Sequence, residues 1–320
     1  MPRPSAWMVA FACSPSESSA RSAMTHVLHQ HPFTPYDREP STDLAHFRAM
    51  PMMEEMLPVE MNDEFRHRIG AKPLDLANWL PRDAETEPTI AMKRELLATR
   101  RDEVVALHPG GEAAAEEAAR LVAEFCGVTL TTHGIDALVE ASLLVADDLT
   151  VLAPVGDQLL FVAGVVCSPS RWELASKMGT DMLATHQPVS RYAEHIGAAV
   201  DTTLRRLTPN KAIWRSNWTL EDHCALFQPV SPTAPLVDDP SLLWIRMERQ
   251  TLRRLPETGG VLFTIRGFQQ PLPDYVARGT QHARTLRSLV ARLPDDVARY
   301  KSVYAYRDSV LDWLEPYCAA

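Results

Sequence analysis

Trp244-Ile245-Arg246-Met247-Glu248-Arg249-Gln250-Thr251-Leu252-Arg253-Arg254-Leu255-Pro256 threads ionic side chains through what is otherwise the composition of a core strand. Side chains along a strand alternate between faces, so Trp244, Arg246, Glu248 and Gln250 share one side while Leu243, Ile245 and Met247 share the other. A row of Arg, Glu and Gln either meets water or lines a polar cavity. The Gly259-Gly260 turn and the run Val261-Leu262-Phe263-Thr264-Ile265 follow at once, which makes a hairpin whose second strand is apolar on both faces and therefore central. That placement favours the cavity.

Working upstream, Ala212 to Leu220 has strand composition and sets Arg215 and Asn217 on one face, opposite Glu248 across the sheet. Leu143 to Leu152 and Gln158 to Cys167 flank Pro154-Val155-Gly156-Asp157 as an earlier hairpin. Between the two sets of strands, Trp172 to Thr185 and Val189 to Leu207 read as helices split by Pro188. Gln228 to Pro240 is a polar, proline-rich connection. Thr89 to Leu107 and Glu112 to Phe125, separated by Pro109-Gly110-Gly111, read as a helical cap, and Pro273 to Leu293 and Ser302 to Leu314 as closing helices. Two strands, helices, then three strands is the plan of an α+β, PAS-like fold. It has an antiparallel sheet with crossing helices, here extended by an N-terminal helical cap and C-terminal helices. The Pro- and Met-rich start reads as a partly disordered arm over residues 1–58, which leaves residues 59–320 as a single domain.

At 320 residues, 46% hydrophobic and 23% charged, the chain buries a core without staples. Cys13, Cys126, Cys167, Cys224 and Cys318 lie far apart with no CxxC, so their spacing encodes neither a zinc nor an iron–sulfur site, and a reducing cytoplasm is the simplest setting. A net charge of −9 with no basic tract argues against nucleic acid and anionic membrane surfaces. No apolar stretch approaches the ~20 residues that span a bilayer. Met1 to Ala23 has a weak likeness to a signal peptide, but the apolar patch Ala6 to Cys13 is short for an h-region, and Met24 is an alternative start. Small molecules and proteins remain as partners.

No GxGxxG follows a strand, and there is no P-loop, HExxH or GxSxG. His186, in Met182-Leu183-Ala184-Thr185-His186-Gln187-Pro188-Val189, ends a helix just before a proline. A neutral imidazole placed there can give one ring nitrogen to a haem iron while the other is held by a carbonyl or carboxylate. The plainer role of a helix-terminal histidine is capping or packing. His195 sits beside Glu194 and near Arg191, which marks a solvated face, and His26, His29 and His31 lie in the arm. Arg215 and Asn217 offer a fixed charge and an amide; with Glu248, Arg215 or Arg246 forms either a structural buried ion pair or a group that polarises a ligand. Cys167 has apolar neighbours that raise its pKa, so burial suits it better than thiolate ligation.

Several segments together resemble one family, the alpha subunit of the haem-dependent oxidative N-demethylases. They are Lys72-Pro73-Leu74-Asp75 through Trp79 and Asp83; Ala146-Asp147-Asp148-Leu149; and Val166-Cys167-Ser168-Pro169-Ser170-Arg171-Trp172. Lys177-Met178-Gly179, His186-Gln187-Pro188-Val189, Arg215-Ser216-Asn217-Trp218, Arg246 to Pro256 and Phe263-Thr264-Ile265-Arg266 continue the likeness in order, from about residue 70 to the C-terminus. The resemblance implies a PAS-like sheet holding haem b. It implies an enzyme that uses dioxygen and electrons from a partner reductase, carrying FMN and an iron–sulfur centre, to remove a methyl group from a small, dimethylamine-like alkylamine as formaldehyde. A folate-binding subunit would serve as acceptor. In that reading His186 is the proximal iron ligand, Arg215, Gln250 and Trp218 lie against the cofactor, and Glu248, Arg246 and Asn217 serve the chemistry. Arg215 or Arg246 would also neutralise haem propionates. Ala146-Asp147-Asp148 departs from the family's Gln-Glu-Asp-like run, and the stretch from Thr86 to Thr89 lacks an expected Tyr, which loosens the link to a particular substrate. A haem-based gas or redox sensor and a haem-free PAS-like binding protein are the rival readings.

Overall fold

The computed structural model describes Phe65 and residues 69–232 and 234–319. The arm expected over residues 1–58, with His26, His29 and His31, lies outside the described residues. Seven strands form one antiparallel sheet: β1 (Lys72–Leu74), β2 (Val105–Leu107), β3 (Asp148–Val155), β4 (Gln158–Val165), β5 (Ala212–Glu221), β6 (Trp244–Arg254) and β7 (Val261–Pro271). Their spatial order is β1-β5-β6-β7-β3-β4-β2. β6 and β7 are interior, as the apolar run after Gly259-Gly260 implies, and the α+β class holds. No helix among the described residues is long and apolar enough to cross a membrane.

The helices are α1 (Thr86–Thr99), α2 (Arg101–Val104), α3 (Glu112–Cys126), α4 (Gly134–Ser142), α5 (Met182–Thr185), α6 (Ala198–Arg206), α7 (Leu272–Val276), α8 (Thr280–Ala291), α9 (Asp295–Tyr300) and α10 (Arg307–Ala319). Several departures from the sequence reading have local causes. Val105 to Leu107, expected as the end of a helix, pairs instead with β4 in the register Val105↔Val165, because the open edge of β4 satisfies its backbone groups. The strand expected from Leu143 starts only at Asp148, and α4, not anticipated, fills the approach to it. Most of the helix expected over Trp172 to Thr185 is absent: a 3-10 turn at Leu174–Lys177 and the single turn of α5 replace it. Gly179 between them has φ +72, and a Cβ there would lie 2.7 Å from the His108 ring. Past Pro188, Arg191 at φ 60 breaks the next helix; a π-helical turn, Ala193–Gly197, precedes α6.

Both faces of the sheet are covered. Ile245 and Met247 of β6 pack with Trp218 and Phe268 against α7, α8, α9 and α10 through Leu272, Leu286, Val297 and Val310. Further along the same face, Leu149, Val151 and Leu262 pack under α3 and α4 through Ala118, Val122 and Leu138. Here the cap is also held by polar groups. Arg249 donates to the carbonyls of Trp79 (2.8 Å) and Asn78 (2.9 Å). Arg266 donates to both Asp83 carboxylate oxygens (2.9 and 3.1 Å) and to Thr89 Oγ1 (3.2 Å). Lys93 donates to the carbonyls of Val145 and Asp147 (3.2 and 2.7 Å), and Trp79 Nε1 to Thr251 Oγ1 (3.0 Å). On the opposite face, residues 172–207 cross the sheet, with Leu174, Leu204 and Leu207 packed on Leu152 and Val261.

Candidate functional site

The opposite face carries a second polar group of side chains. Pairing of Asn217 with Glu248 and of Arg215 with Gln250 brings the even-numbered positions of β6 and the odd-numbered positions of β5 to one surface, as alternation requires. Glu248 Oε2 accepts from Gln250 Nε2 at 3.0 Å and Asn217 Nδ2 at 3.5 Å. Glu248 Oε1 lies 3.7 Å from Arg246 Nε. Arg246, 1% exposed, gives its terminal nitrogens to the carbonyls of Leu226 and Ser168, so its first role is to tie β6 to two loops and back the carboxylate. Arg215 has a buried Nε with no hydrogen-bond partner. Burial draws its pKa down, opposed by Tyr300, Glu248 and Tyr192.

Residues 177–201 bring the histidine to this surface. Asp181 caps α5 by accepting from Ala184 N (2.7 Å), and Lys177 Nζ holds the end of that turn at Thr185 O (2.8 Å). His186 is the C-cap residue. Its Nδ1 lies 2.8 Å from Met182 O; a carbonyl only accepts, so Nδ1 carries the proton and Nε2 the lone pair. The ring stacks on Tyr192 at 4.4 Å between centroids and 4° between planes. Burial pulls the His186 pKa down to about 4, helped by Arg215 and Lys177 and opposed by the Met182 bond. The ring is therefore neutral near pH 7, in one tautomer, with Nε2 available as a donor to a metal. The Tyr192 hydroxyl is buried without a hydrogen-bond partner.

α9 completes the site with two residues the sequence reading missed. Tyr300 keeps 43% of its surface, yet desolvation leads the causes that push its hydroxyl up to about 12, followed by Glu248. Lys301 Nζ donates to Asn217 Oδ1 (3.0 Å) and Trp218 O (2.7 Å), and burial lowers its pKa to about 8. Ser190 and Arg191 both bond Asp296 at the start of α9, so the His186 loop and α9 approach the sheet together. No local pattern around Arg299-Tyr300-Lys301 signals this placement, which is purely tertiary.

Of the residues expected here, His186, Arg215, Asn217, Arg246, Glu248 and Gln250 surround one face. The Trp218 side chain is not among them: it is out of phase with Arg215 and Asn217 and is buried in the C-terminal helical cluster. Cys167 is fully buried, its thiol pKa raised by burial and by Asp148, and its amide donates to Asp148 (2.9 Å). His195 lies in the π-helical turn, half-buried. Among the described residues no group of three or more His, Cys, Asp or Glu could hold a metal ion; an iron in a porphyrin requires only one or two axial ligands from the protein. The model of a family described as haem-dependent oxidative N-demethylase, alpha subunit-like, matches residues 124–311, a span holding every residue of this surface. With more than half of its length matched, the chain belongs to that haem-dependent oxidative N-demethylase alpha subunit-like family.

Proposed function

We propose that this protein holds haem b through His186 Nε2 and removes a methyl group from a small, dimethylamine-like alkylamine. One oxygen atom of dioxygen would leave in formaldehyde and the other in water, with two electrons and two protons supplied by a partner. The observation that carries the reading is the His186 ring. It is neutral, stacked on Tyr192 and fixed by Met182 O, and a ring N–H held by a carbonyl is the support a metal-ligating imidazole has. Arg215, with its unpartnered Nε, suits a propionate. Strand order supports a PAS-like sheet, since β4-β3-β7-β6-β5 reads 2-1-5-4-3 when those five are numbered along the chain.

Bound haem would supply the oxidising chemistry. The polypeptide's part is to bind and orient the amine, to manage its proton and to exclude bulk water. An alkylammonium is a small cation, and Glu248 is a carboxylate of this surface beside Asn217, Gln250 and Arg246. Two amides occupy Oε2, so Oε1, with only Arg246 at 3.7 Å, is the oxygen that receives the substrate's N–H and its proton. Gln250 and Asn217 fix the carboxylate plane, and Tyr300 lies near enough for Glu248 to raise its hydroxyl pKa. The partners on this reading are a cytoplasmic reductase with FMN and an iron–sulfur centre and a folate-binding acceptor subunit.

The test starts with the absorption spectrum of the purified, haem-supplemented protein. A Soret band that His186→Ala abolishes or shifts supports the ligand assignment; an unchanged spectrum moves the ligand elsewhere, and no band at all favours a haem-free binding protein. Formaldehyde release from dimethylamine with a reductase and NADPH then separates an enzyme from a haem-based sensor, which would bind gas without turnover.

A further inference from the structure

We propose that Lys301 is a positioning residue for this site: by holding Asn217 Oδ1 and the Trp218 carbonyl, it fixes the orientation of the Asn217 amide and, through it, the Glu248 carboxylate. Asn217 can present either its oxygen or its NH2 group to the sheet surface, and the two differ by a rotation of the terminal group. A lysine ammonium has donors only. Its contact at 3.0 Å with Oδ1 therefore turns Nδ2 toward Glu248 Oε2, where it lies at 3.5 Å. The second bond, 2.7 Å to Trp218 O, and the placement of Nζ 5.0 Å from the Trp218 ring centroid hold the ammonium at the margin of β5. Among the described residues the pairing of β5 with β1 ends at Trp214, and the lysine gives the Trp218 carbonyl a donor.

The chain Lys301 to Asn217 to Glu248 crosses from the C-cap of α9 to β5 to β6, and Gln250 closes it from the other side at 3.0 Å. Lys301 is 8% exposed, too buried to serve as a solubilising surface charge. The charged and titratable groups facing it are Arg215, which lowers its pKa, and Glu248, which raises it. A buried lysine given two acceptors, one of them the amide that steers a carboxylate, is the sign of a group that sets geometry. The catalytic meaning of that geometry rests on the demethylase reading above; the linkage itself does not.

Two measurements separate the two. Following the Asn217 side-chain amide by NMR, assigned with Asn217→Asp, the wild-type signal should titrate between pH 7 and pH 9, and Lys301→Met should abolish that titration while Lys301→Arg keeps the signal dispersed. An Asn217 signal that Lys301→Met leaves unmoved at every pH overturns the linkage, whatever the enzyme does. In turnover with dimethylamine, Lys301→Met should cut kcat/KM about a hundredfold, as loss of orientation does, and Lys301→Arg should recover most of it. The double variant Lys301→Met with Asn217→Ala should be no slower than the slower single variant, since both break one chain. Additive losses, or turnover by Lys301→Met within about twofold of wild type, overturn the positioning role. A wild type that binds haem but demethylates nothing removes the demethylase reading and leaves the NMR result to decide the linkage alone.

Discussion

The two faces of the central sheet carry similar inventories of charge and use them differently. Under the cap, Arg249, Arg266 and Lys93 are almost completely buried; their terminal nitrogens go to main-chain carbonyls, Thr89 and the Asp83 carboxylate, while the Nε of each arginine is buried without a hydrogen-bond partner. The opposite face leaves groups unfinished. The Tyr192 hydroxyl is buried without a partner, His186 has one ring nitrogen committed, and Tyr300 keeps 43% of its surface; an unpartnered arginine Nε occurs on both faces, at Arg215 here and at Arg249 and Arg266 under the cap. Satisfied networks rigidify a fold, and unsatisfied groups cost stability unless something else binds them. The first arrangement is architecture; the second is the surface on which the proposed function rests.

The strongest way to break that comparison is to cut one face at a time. Arg266→Met removes a buried guanidinium from Asp83 and Thr89. Unfolding in urea should show a loss of roughly 3–5 kcal/mol, with the spectrum and turnover of the remaining folded protein close to wild type. Glu248→Gln should do the reverse: formaldehyde production falls about a hundredfold while stability moves by less than about 1 kcal/mol, because a glutamine oxygen still accepts from Gln250 and Asn217. If Glu248→Gln unfolds as readily as Arg266→Met, the two faces are equally structural and the division collapses.

A smaller effect reports on the margin between them. Lys301 has its native pKa lowered by burial to about 8 from an ordinary 10.5. Below pH 8 the lysine is protonated in folded and unfolded chains alike, and the cost of burying its charge is fully present. As pH rises from 8 toward 10.5 only the native state releases the proton, so stability increases across that window. Measured as the difference between wild type and Lys301→Met, which cancels the parallel contribution of Lys93, the gain from pH 7.5 to pH 9 should be about 1 kcal/mol. A flat difference would mean that the ammonium is solvated and its two acceptors have other donors.

What made this arrangement legible in the sequence was parity. Alternation along β6 puts Arg246, Glu248 and Gln250 together, and the doubly apolar β7 places them inside the sheet. The same rule, applied to β5, removes Trp218 from the group, because it is one residue out of phase with Asn217. What stayed illegible was tertiary or conformational. Arg191 adopts φ of 60, a left-handed conformation that no side-chain pattern signals and that breaks the helix expected after Pro188. Tyr300 and Lys301 reach the site only because Asp296 draws α9 to the His186 loop, and Tyr192 because its ring lies flat on an imidazole six residues earlier. Separations of that kind leave no periodicity to read.

The smallest predicted change is the most direct test of unfinished bonding. Tyr192 is 4% exposed, its ring supports His186, and its hydroxyl has no hydrogen-bond partner; burial raises that hydroxyl to about 12. Tyr192→Phe keeps the stacked ring and deletes an unsatisfied group, so urea unfolding of the ligand-free protein should show no loss of stability, or a gain of up to about 1 kcal/mol. The same variant should weaken whatever the hydroxyl binds, seen as a several-fold rise in KM for the amine or a displaced Soret band. Stability lost without any change at the site would show the hydroxyl to be bonded within the fold, and this face would then resemble the one beneath the cap. Stability kept and binding lost would show that the fold leaves this hydroxyl open for a ligand.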